Sequence, residues 1–307
     1  MPKLYVEKSI EIKAPAAKVF STLNDFSTWT AWSPWLIMEP EAKVTVSDDK
    51  KSYKWEGKKV GSGEMKITGE EIDKTLYIDL TFLTPYKSHA KVWLDLESDG
   101  DSTKVTWFLD SSLPFFMFWM KKMMEAFLGM DYLRGLFMLK DYVEDGEVHS
   151  KMEFTGTGNY PGCKYVGVKS ECKISDISAS MERDFAKLGA FMDQHKDLIN
   201  GNAVAIYHKW ELVKGMTTYT VGFPVKSLPE NLAEGIIIGE IPSTPVYKLT
   251  HKGPYRHLGN AWSTMQNLQR NKIFKMNKKI DPFESYVNMP GEVPDNELTT
   301  EVIFATK

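Results

Sequence analysis

Hydrophobic and polar positions alternate through much of the first third of the chain. Leu4 to Ile12 reads as a strand, and Ala14-Pro15 then opens a short helical stretch, Ala16 to Leu23. Six alternating segments follow, at 42–47, 52–56, 63–69, 75–83, 88–96 and 103–109. Leu76, Ile78, Leu80 and Phe82 fall on one face, and Ala90, Val92, Leu94 and Leu96 do the same on the next segment. The turns between them are Asp-Gly, Gly-Lys and Asp-Lys, which predicts an antiparallel meander of about seven strands. After Pro114 the period lengthens. Phe116, Met120, Met123, Met124, Phe127 and Leu128 mark a helix face, continued past Gly129 by Leu133, Leu136, Phe137 and Lys140. One sheet closed by one long helix is an α+β arrangement.

From Glu144 to Gly162 the chain turns to Gly, Ser, Thr, Asn and Pro, and 146–162 is the expected linker between units at 1–145 and 163–307. The second unit contains an internal repeat. A strand at 164–170, a helix at 178–196 and strands at 203–207 and 217–223 form the first copy. A strand at 245–250, a helix marked by Tyr255, Leu258, Trp262, Met265 and Leu268, and strands at 283–287 and 299–304 form the second. Thr217-Thr218-Tyr219 matches Thr299-Thr300-Glu301 at a spacing of 82 residues. Two strand–helix–strand–strand copies are expected to share one sheet with both helices on one face. The opposite face would then be left to form a cleft on a pseudo-twofold axis.

Composition narrows the function classes. The chain has 307 residues, 42% hydrophobic and 26% charged, which excludes a disordered tail, a collagen-like repeat or a disulfide miniprotein. A net charge of −3 lacks the strongly basic balance of a nucleic-acid-binding chain, so no direct nucleic-acid contact is expected. The excess is in soft and flat apolar residues: nine Trp, thirteen Tyr, sixteen Phe and sixteen Met, which suit large cores or pockets for hydrophobic ligands. Seven of the Trp residues precede the linker and two follow it. Cys163 and Cys172 would lie about 30 Å apart on one extended strand, too far for a disulfide. The charged N-terminal run, Met1 to Lys8, does not read as a signal peptide, and the apolar stretch 113–120 is far short of the roughly 20 residues that cross a bilayer. A cytoplasmic protein without stable membrane insertion is expected.

Residues 1–145 resemble the SRPBCC superfamily, the START-like or polyketide-cyclase-like helix-grip fold. The resemblance is carried by Ile10-Glu11-Ile12-Lys13-Ala14-Pro15 with Val19-Phe20 and Leu23-Asn24-Asp25, by Trp29 and Trp32-Ser33-Pro34-Trp35, by Trp55-Glu56-Gly57 with Gly61-Ser62-Gly63, and by Gly135-Leu136, Leu139-Lys140 and Val143-Glu144. It implies a cavity between a curved sheet and the long helix that holds an apolar or amphipathic small molecule. Residues 160–307 resemble the GyrI-like domain, the effector-binding module of AraC-type and multidrug-responsive regulators. The carrying residues are His251-Lys252-Gly253-Pro254-Tyr255, Leu258, Ala261-Trp262, Phe283 to Pro290, and Leu298-Thr299-Thr300-Glu301-Val302. In that family a Glu in the position of Glu284 sits in an aromatic cleft and faces cationic or polar aromatic ligands. Regulators of this class carry a helix-turn-helix in the same chain, and here an SRPBCC-like unit stands in that place.

Candidate binding residues follow. Glu284 lies between Phe283 and Tyr286 on a strand, where a carboxylate is costly unless exposed or partnered. By parity Glu284, Tyr286 and Asn288 share one face, while Phe283, Ser285 and Val287 share the other. Tyr207 and Tyr219 on strands of the first copy, and Tyr255 at the start of the second helix, are candidates for the same cleft. Trp262 fits the helix stripe and reads as core. In the first unit, Trp55, Phe82 and Trp107 are candidates to face the interior with Met120 opposite, and Trp29, Trp32 and Trp35 to cap its mouth. Gly61-Ser62-Gly63 reads as a turn, since no helix follows to make a phosphate cradle. The six histidines show no metal spacing, and no cofactor is implied. Lys121-Lys122 beside Phe115-Phe116 and Phe118-Trp119 is a short basic run for a membrane surface, and acidic residues soon follow. The leading expectation is a binder of small hydrophobic or cationic aromatic molecules that senses or sequesters xenobiotic-like compounds. The alternatives are a hydrolase of reactive small molecules with Glu284 as general base, and an interaction protein modulating a macromolecular target.

Overall fold

The computed structural model describes residues 2–84 and 86–307, so Met1 of the N-terminal run lies outside the described residues. The chain divides into two compact units, 1–149 and 150–307. The first contains β1 (Lys3–Ile12), α1 (Ala16–Leu23), α2 (Phe26–Trp32), β2 (Lys43–Val46), β3 (Ser52–Gly57), β4 (Gly61–Glu71), β5 (Thr75–Thr84), β6 (Ser88–Asp99), β7 (Ser102–Ser112) and α3 (Lys121–Asp145). Its seven strands form one antiparallel sheet in the order β1-β7-β6-β5-β4-β3-β2. The alternation delivers the expected inner face: Leu76, Ile78 and Leu80 on β5 and Ala90, Val92, Leu94 and Leu96 on β6 are buried. The short turns use the expected residues, with Asp73 and Gly100 both at positive φ.

α3 presents Gly129, Tyr132, Leu136, Leu139 and Val143 to the core. Gly135 allows the close approach, because a Cβ there would meet the Trp107 ring at 2.9 Å and Pro34 at 3.2 Å. The helix face read from the sequence is corrected at its start. Residues Phe115–Met120 form a 3-10 segment before α3, Phe116 is 75% exposed, and Leu133 lies at the exposed margin. A stripe of apolar residues satisfies a helical period whether or not its first turn reaches the core. Gly146, in the left-handed region at φ 83°, ends the helix.

The second unit contains β8 (Lys151–Tyr160), β9 (Cys163–Lys173), α4 (Ile177–Met192), β10 (Val204–Glu211), β11 (Met216–Val225), β12 (Ile237–Ile241), β13 (Thr244–Lys252), α5 (Leu258–Arg270), β14 (Phe283–Tyr286) and β15 (Thr299–Ala305). They form one antiparallel eight-stranded sheet, β12-β9-β11-β10-β14-β15-β13-β8. The two copies, β9-α4-β10-β11 and β13-α5-β14-β15, meet where β10 pairs β14, and β12 and β8 are added outside them. Most of the segment read as a linker is therefore strand β8, paired with β13.

The register fixes the repeat at 81 residues in β11 and β15 rather than 82. Ala205 faces Val221 as Glu284 faces Val302, so Tyr219 corresponds to Thr300. Both helices cover one face of the sheet: α4 packs Leu188 and Met192 against Val166, Val168, Ala205 and Val221, and α5 packs Ala261, Met265 and Leu268 against Leu249, Val302 and Phe304. The other face carries a separate apolar cluster of Tyr165, Val204, Ile206, Val246, Phe283 and Ile303.

A buried carboxylate at the repeat axis of the second unit

Following the ladder across the second sheet gives one row: Val168, Val221, Ala205, Glu284, Val302 and Leu249. Five of the six are aliphatic and the sixth is a carboxylate, placed beside the repeat axis and 1% exposed. Ala205 is its symmetry counterpart. Tyr207 and Tyr286 each lie two residues further along their strands and return diagonally to the same group. The Tyr286 hydroxyl donates to Glu284 Oε2 at 2.6 Å and the Tyr207 hydroxyl to the same oxygen at 3.0 Å. From α5, Trp262 donates its indole N–H to Oε1 at 2.5 Å.

Burial pushes the Glu284 carboxyl above its ordinary value, against the three donors, which favour the ionised form. Among the described residues no basic side chain forms an ion pair with it. Burial, then the charge of Glu284, pushes the Tyr207 and Tyr286 hydroxyls well up, so both remain protonated donors. Aromatic rings enclose the group. Trp262 meets Tyr207 edge-on at 4.9 Å, Trp210 stacks on Tyr207 at 5.3 Å, and Tyr255 and Phe185 flank Tyr286 at 5.5 and 5.7 Å. Among the described residues, the buried indole N–H of Trp210 and hydroxyl of Tyr255 have no hydrogen-bond partner. A hydrogen-bonded but uncompensated carboxylate inside a ring of π-faces suits a cation that is itself aromatic and apolar.

The structure brings Glu284, Tyr207, Tyr286 and Tyr255 together. It places Tyr219 one step away, with its hydroxyl on Ser180 (2.8 Å) and Asp184 (2.7 Å) of α4 and not on Glu284. Two readings are corrected. Trp262 is not simply core, since its N–H is a donor to the carboxylate. The cleft residues also share the helix-covered face of the sheet, not the opposite one, because 284 and 286 have the parity of the α4 and α5 contacts. Periodicity found the Trp262 stripe but cannot tell a core indole from one reaching a buried acid.

The first unit holds a cavity of about 60 Å³, room for a few waters. Trp55, Phe82 and Trp107 line it, together with Trp29, Trp32 and Trp35. Met120 is not among its walls; it ends the 3-10 segment before α3. Gly61-Ser62-Gly63 is the first part of β4 rather than a turn. A Cβ at Gly63 would collide with the Trp55 indole and the Thr81 carbonyl, so glycine lets that ring lie flat over the sheet. Trp32 and Trp107 are 0% and 2% exposed, and their indole N–H groups have no acceptor among the described residues.

His251 is buried, its Nε2 3.0 Å from Ser150 Oγ, which also accepts from Asn260 Nδ2 at 3.0 Å. Burial and the neighbouring His257 push its pKa down to about 3. Cys163 and Cys172 are free thiols. Among the described residues no helix is long and apolar enough to cross a membrane, and no group of three His, Cys, Asp or Glu is placed to hold a metal ion.

No curated protein matches the chain. Solved structures similar to it include the EcmrR C-terminal domain (19% identity, covering 52% of this chain and 98% of that one, TM-score 0.40) and SAV2435 bound to tetraphenylphosphonium (13%, 50% and 94%, TM-score 0.41). CalU16 from Micromonospora echinospora is another (16%, 46% and 74%, TM-score 0.34). The model of the polyketide cyclase / dehydrase and lipid transport family matches residues 3–144, and that of the GyrI-like small molecule binding domain matches 160–307. The chain therefore joins a member of the polyketide cyclase / dehydrase and lipid transport family to a GyrI-like small molecule binding domain.

Proposed function

We propose that the protein senses or sequesters xenobiotic-like small molecules, with the second unit taking a bulky aromatic cation at Glu284. The observation that carries this reading is a carboxylate 1% exposed, held by three neutral donors and ringed by aromatic side chains, with no basic side chain against it among the described residues. A ligand cation would supply the missing charge, and Tyr207, Trp210, Tyr255, Trp262 and Tyr286 would supply π-faces. Since the site is closed, entry requires aromatic side chains to swing away, so affinity reflects the cost of opening as well as the contacts. Tyr219 is proposed as support for this wall through α4.

For the first unit we propose an apolar ligand bearing one acceptor oxygen. Trp55, Phe82 and Trp107 would contact its rings, and the unpaired indole N–H groups of Trp32 and Trp107 match the acceptor. The cavity as it stands is small, and a larger ligand would displace Trp29, Trp32 and Trp35. Met120 has no part in this reading.

One observation favours a second function. Burial raises the Glu284 carboxyl above its ordinary value, and a more basic carboxylate is a better proton acceptor, which supports hydrolysis of a reactive ligand with Glu284 as general base. Product analysis with an aromatic epoxide and an aromatic ester separates the two. Binding without turnover, lost in Glu284→Gln, supports the binder. Turnover abolished in Glu284→Gln with binding retained replaces it with the hydrolase.

A further inference from the structure

One end of the first unit's sheet is built unlike the rest of its surface. Beyond Ser112 at the end of β7, Phe115, Phe116, Phe118 and Trp119 are 77, 75, 60 and 67% exposed. The 3-10 segment that carries them buries none of its six residues. Contiguous apolar patches of this kind are rare on soluble surfaces unless something covers them. The strand register adds neighbours. Ser111 pairs with Ala90, and Phe82 with Ser88, so the turn joining β5 to β6 lies at the same end, with Tyr86 81% and Leu83 46% exposed. Gly57 pairs with Gly61, and Ser62 with Thr84, which brings the β3–β4 turn there as well.

The charge beside the aromatics is basic, while acids flank the β3–β4 turn. Glu39 is buried on the backbone N–H groups of Lys58, Lys59 and Val60, Glu41 pairs with Lys59 at 3.0 Å, and Glu56 is exposed. Between Ser111 and Met124 there is no acidic residue, and Lys121 and Lys122 follow the aromatics directly. Lys3 at the start of β1, Lys58 in the β3–β4 turn and Lys87 in the β5–β6 turn extend from the same end. Along the chain the segment is bounded by Asp110 and Glu125, and Glu125 is engaged by Lys121 at 3.6 Å and by the Tyr5 backbone N–H. The sequence alone shows two adjacent lysines; the fold adds three more from distant positions.

We infer that this end of the first unit docks on the surface of an anionic lipid bilayer, with the four aromatic side chains in the headgroup boundary and the lysines against the phosphates. Indole and phenyl rings favour that boundary, and a lysine near an anionic leaflet strengthens binding by about fivefold. The attachment is peripheral, since no helix among the described residues can cross a membrane. The cavity takes wall residues from the same end, Val60 from the β3–β4 turn and Phe82 from β5, so docking places its rim beside the lipid.

The test is flotation of the full chain with vesicles of phosphatidylcholine alone and of phosphatidylcholine with phosphatidylserine. The wild type is expected to float with the anionic vesicles at least tenfold more than with the neutral ones. Phe116→Ser/Trp119→Ser should lose binding to both by tenfold or more. Lys121→Glu/Lys122→Glu should lose the preference for phosphatidylserine. The substituted residues are exposed or at the rim, and unchanged thermal midpoints confirm intact folding. No flotation of the wild type, or equal flotation of the aromatic variant, overturns the inference. So does a wild-type dimer that the aromatic variant converts to monomer without any vesicle binding, which would assign the patch to a second copy of this chain.

Discussion

Across the axis between β10 and β14, Ala205 and Glu284 occupy equivalent positions, as do Tyr207 and Tyr286. One row further out, Tyr219 corresponds to Thr300 and Ser170 to His251. The tyrosine pair is retained in both copies and points at one carboxylate that only the second copy supplies. In the first copy the outer row is closed by Tyr219 hydrogen-bonding into α4. In the second it holds a smaller Thr300, whose buried hydroxyl has no partner among the described residues, and a buried His251. A duplicated backbone thus provides two matched donors, and the asymmetry of one position turns them into a single buried acid site. Had both copies carried Glu, two carboxylates would face each other in an apolar row with no cation between them.

That arrangement can be made deliberately. Ala205→Glu restores symmetry and is expected to have the largest effect, a loss of more than about 5 kcal/mol at pH 7, because a second buried charge has no partner. Urea unfolding should show the loss shrinking as pH falls and one proton comes to be shared. A next, smaller effect tests the outer row. His251 has a folded pKa of about 3 against an ordinary 6.5. The folded state therefore binds fewer protons than the unfolded one between those values, and stability is lost as pH falls through that window. The contribution is at most about 5 kcal/mol at about 1.4 kcal/mol per unit. In His251→Asn the acid slope between pH 6.5 and 3 should flatten; an unchanged slope would place the acid sensitivity elsewhere.

Tyr286→Phe removes the shorter of the two hydroxyl bonds to Glu284 and should cost about 1.5–3 kcal/mol, more than Tyr207→Phe. Equal losses would mean that the copies share the load evenly. The smallest change in stability is expected from Glu284→Gln. Because the folded pKa of Glu284 is raised, the stability associated with its protonated form is present below the ordinary carboxylate value and falls as pH rises through the folded one. The amide removes that decline, so the variant should equal or exceed wild type at neutral pH by chemical denaturation.

Much of this architecture is legible from residue patterns. The helix 16–23 has clear ends and one buried face, and β5 and β6 alternate cleanly because one side of each meets water. β8 was not legible, since an edge strand that is exposed along most of its length carries no alternation, and its glycines read as linker. β12 is five residues with a glycine at its centre, too short for a period. For the site, parity placed Glu284 and Tyr286 on one face but could not say which face the helices cover. That depends on how α4 and α5 cross back, which is a property of the whole sheet. The partnership of Trp262 with Glu284 joins a helix to a strand 22 residues away, and no local signal distinguishes it from packing.

The central claim is that an unpaired carboxylate at the repeat axis selects a cation. Calorimetric titration of the full chain with tetraphenylphosphonium, and with the neutral triphenylphosphine oxide, tests it most directly. Saturable binding of the cation, at least tenfold tighter than the neutral compound and at least tenfold weaker in Glu284→Gln, is the predicted result. Equal affinity for both compounds, or a cation affinity unchanged in Glu284→Gln, would contradict it.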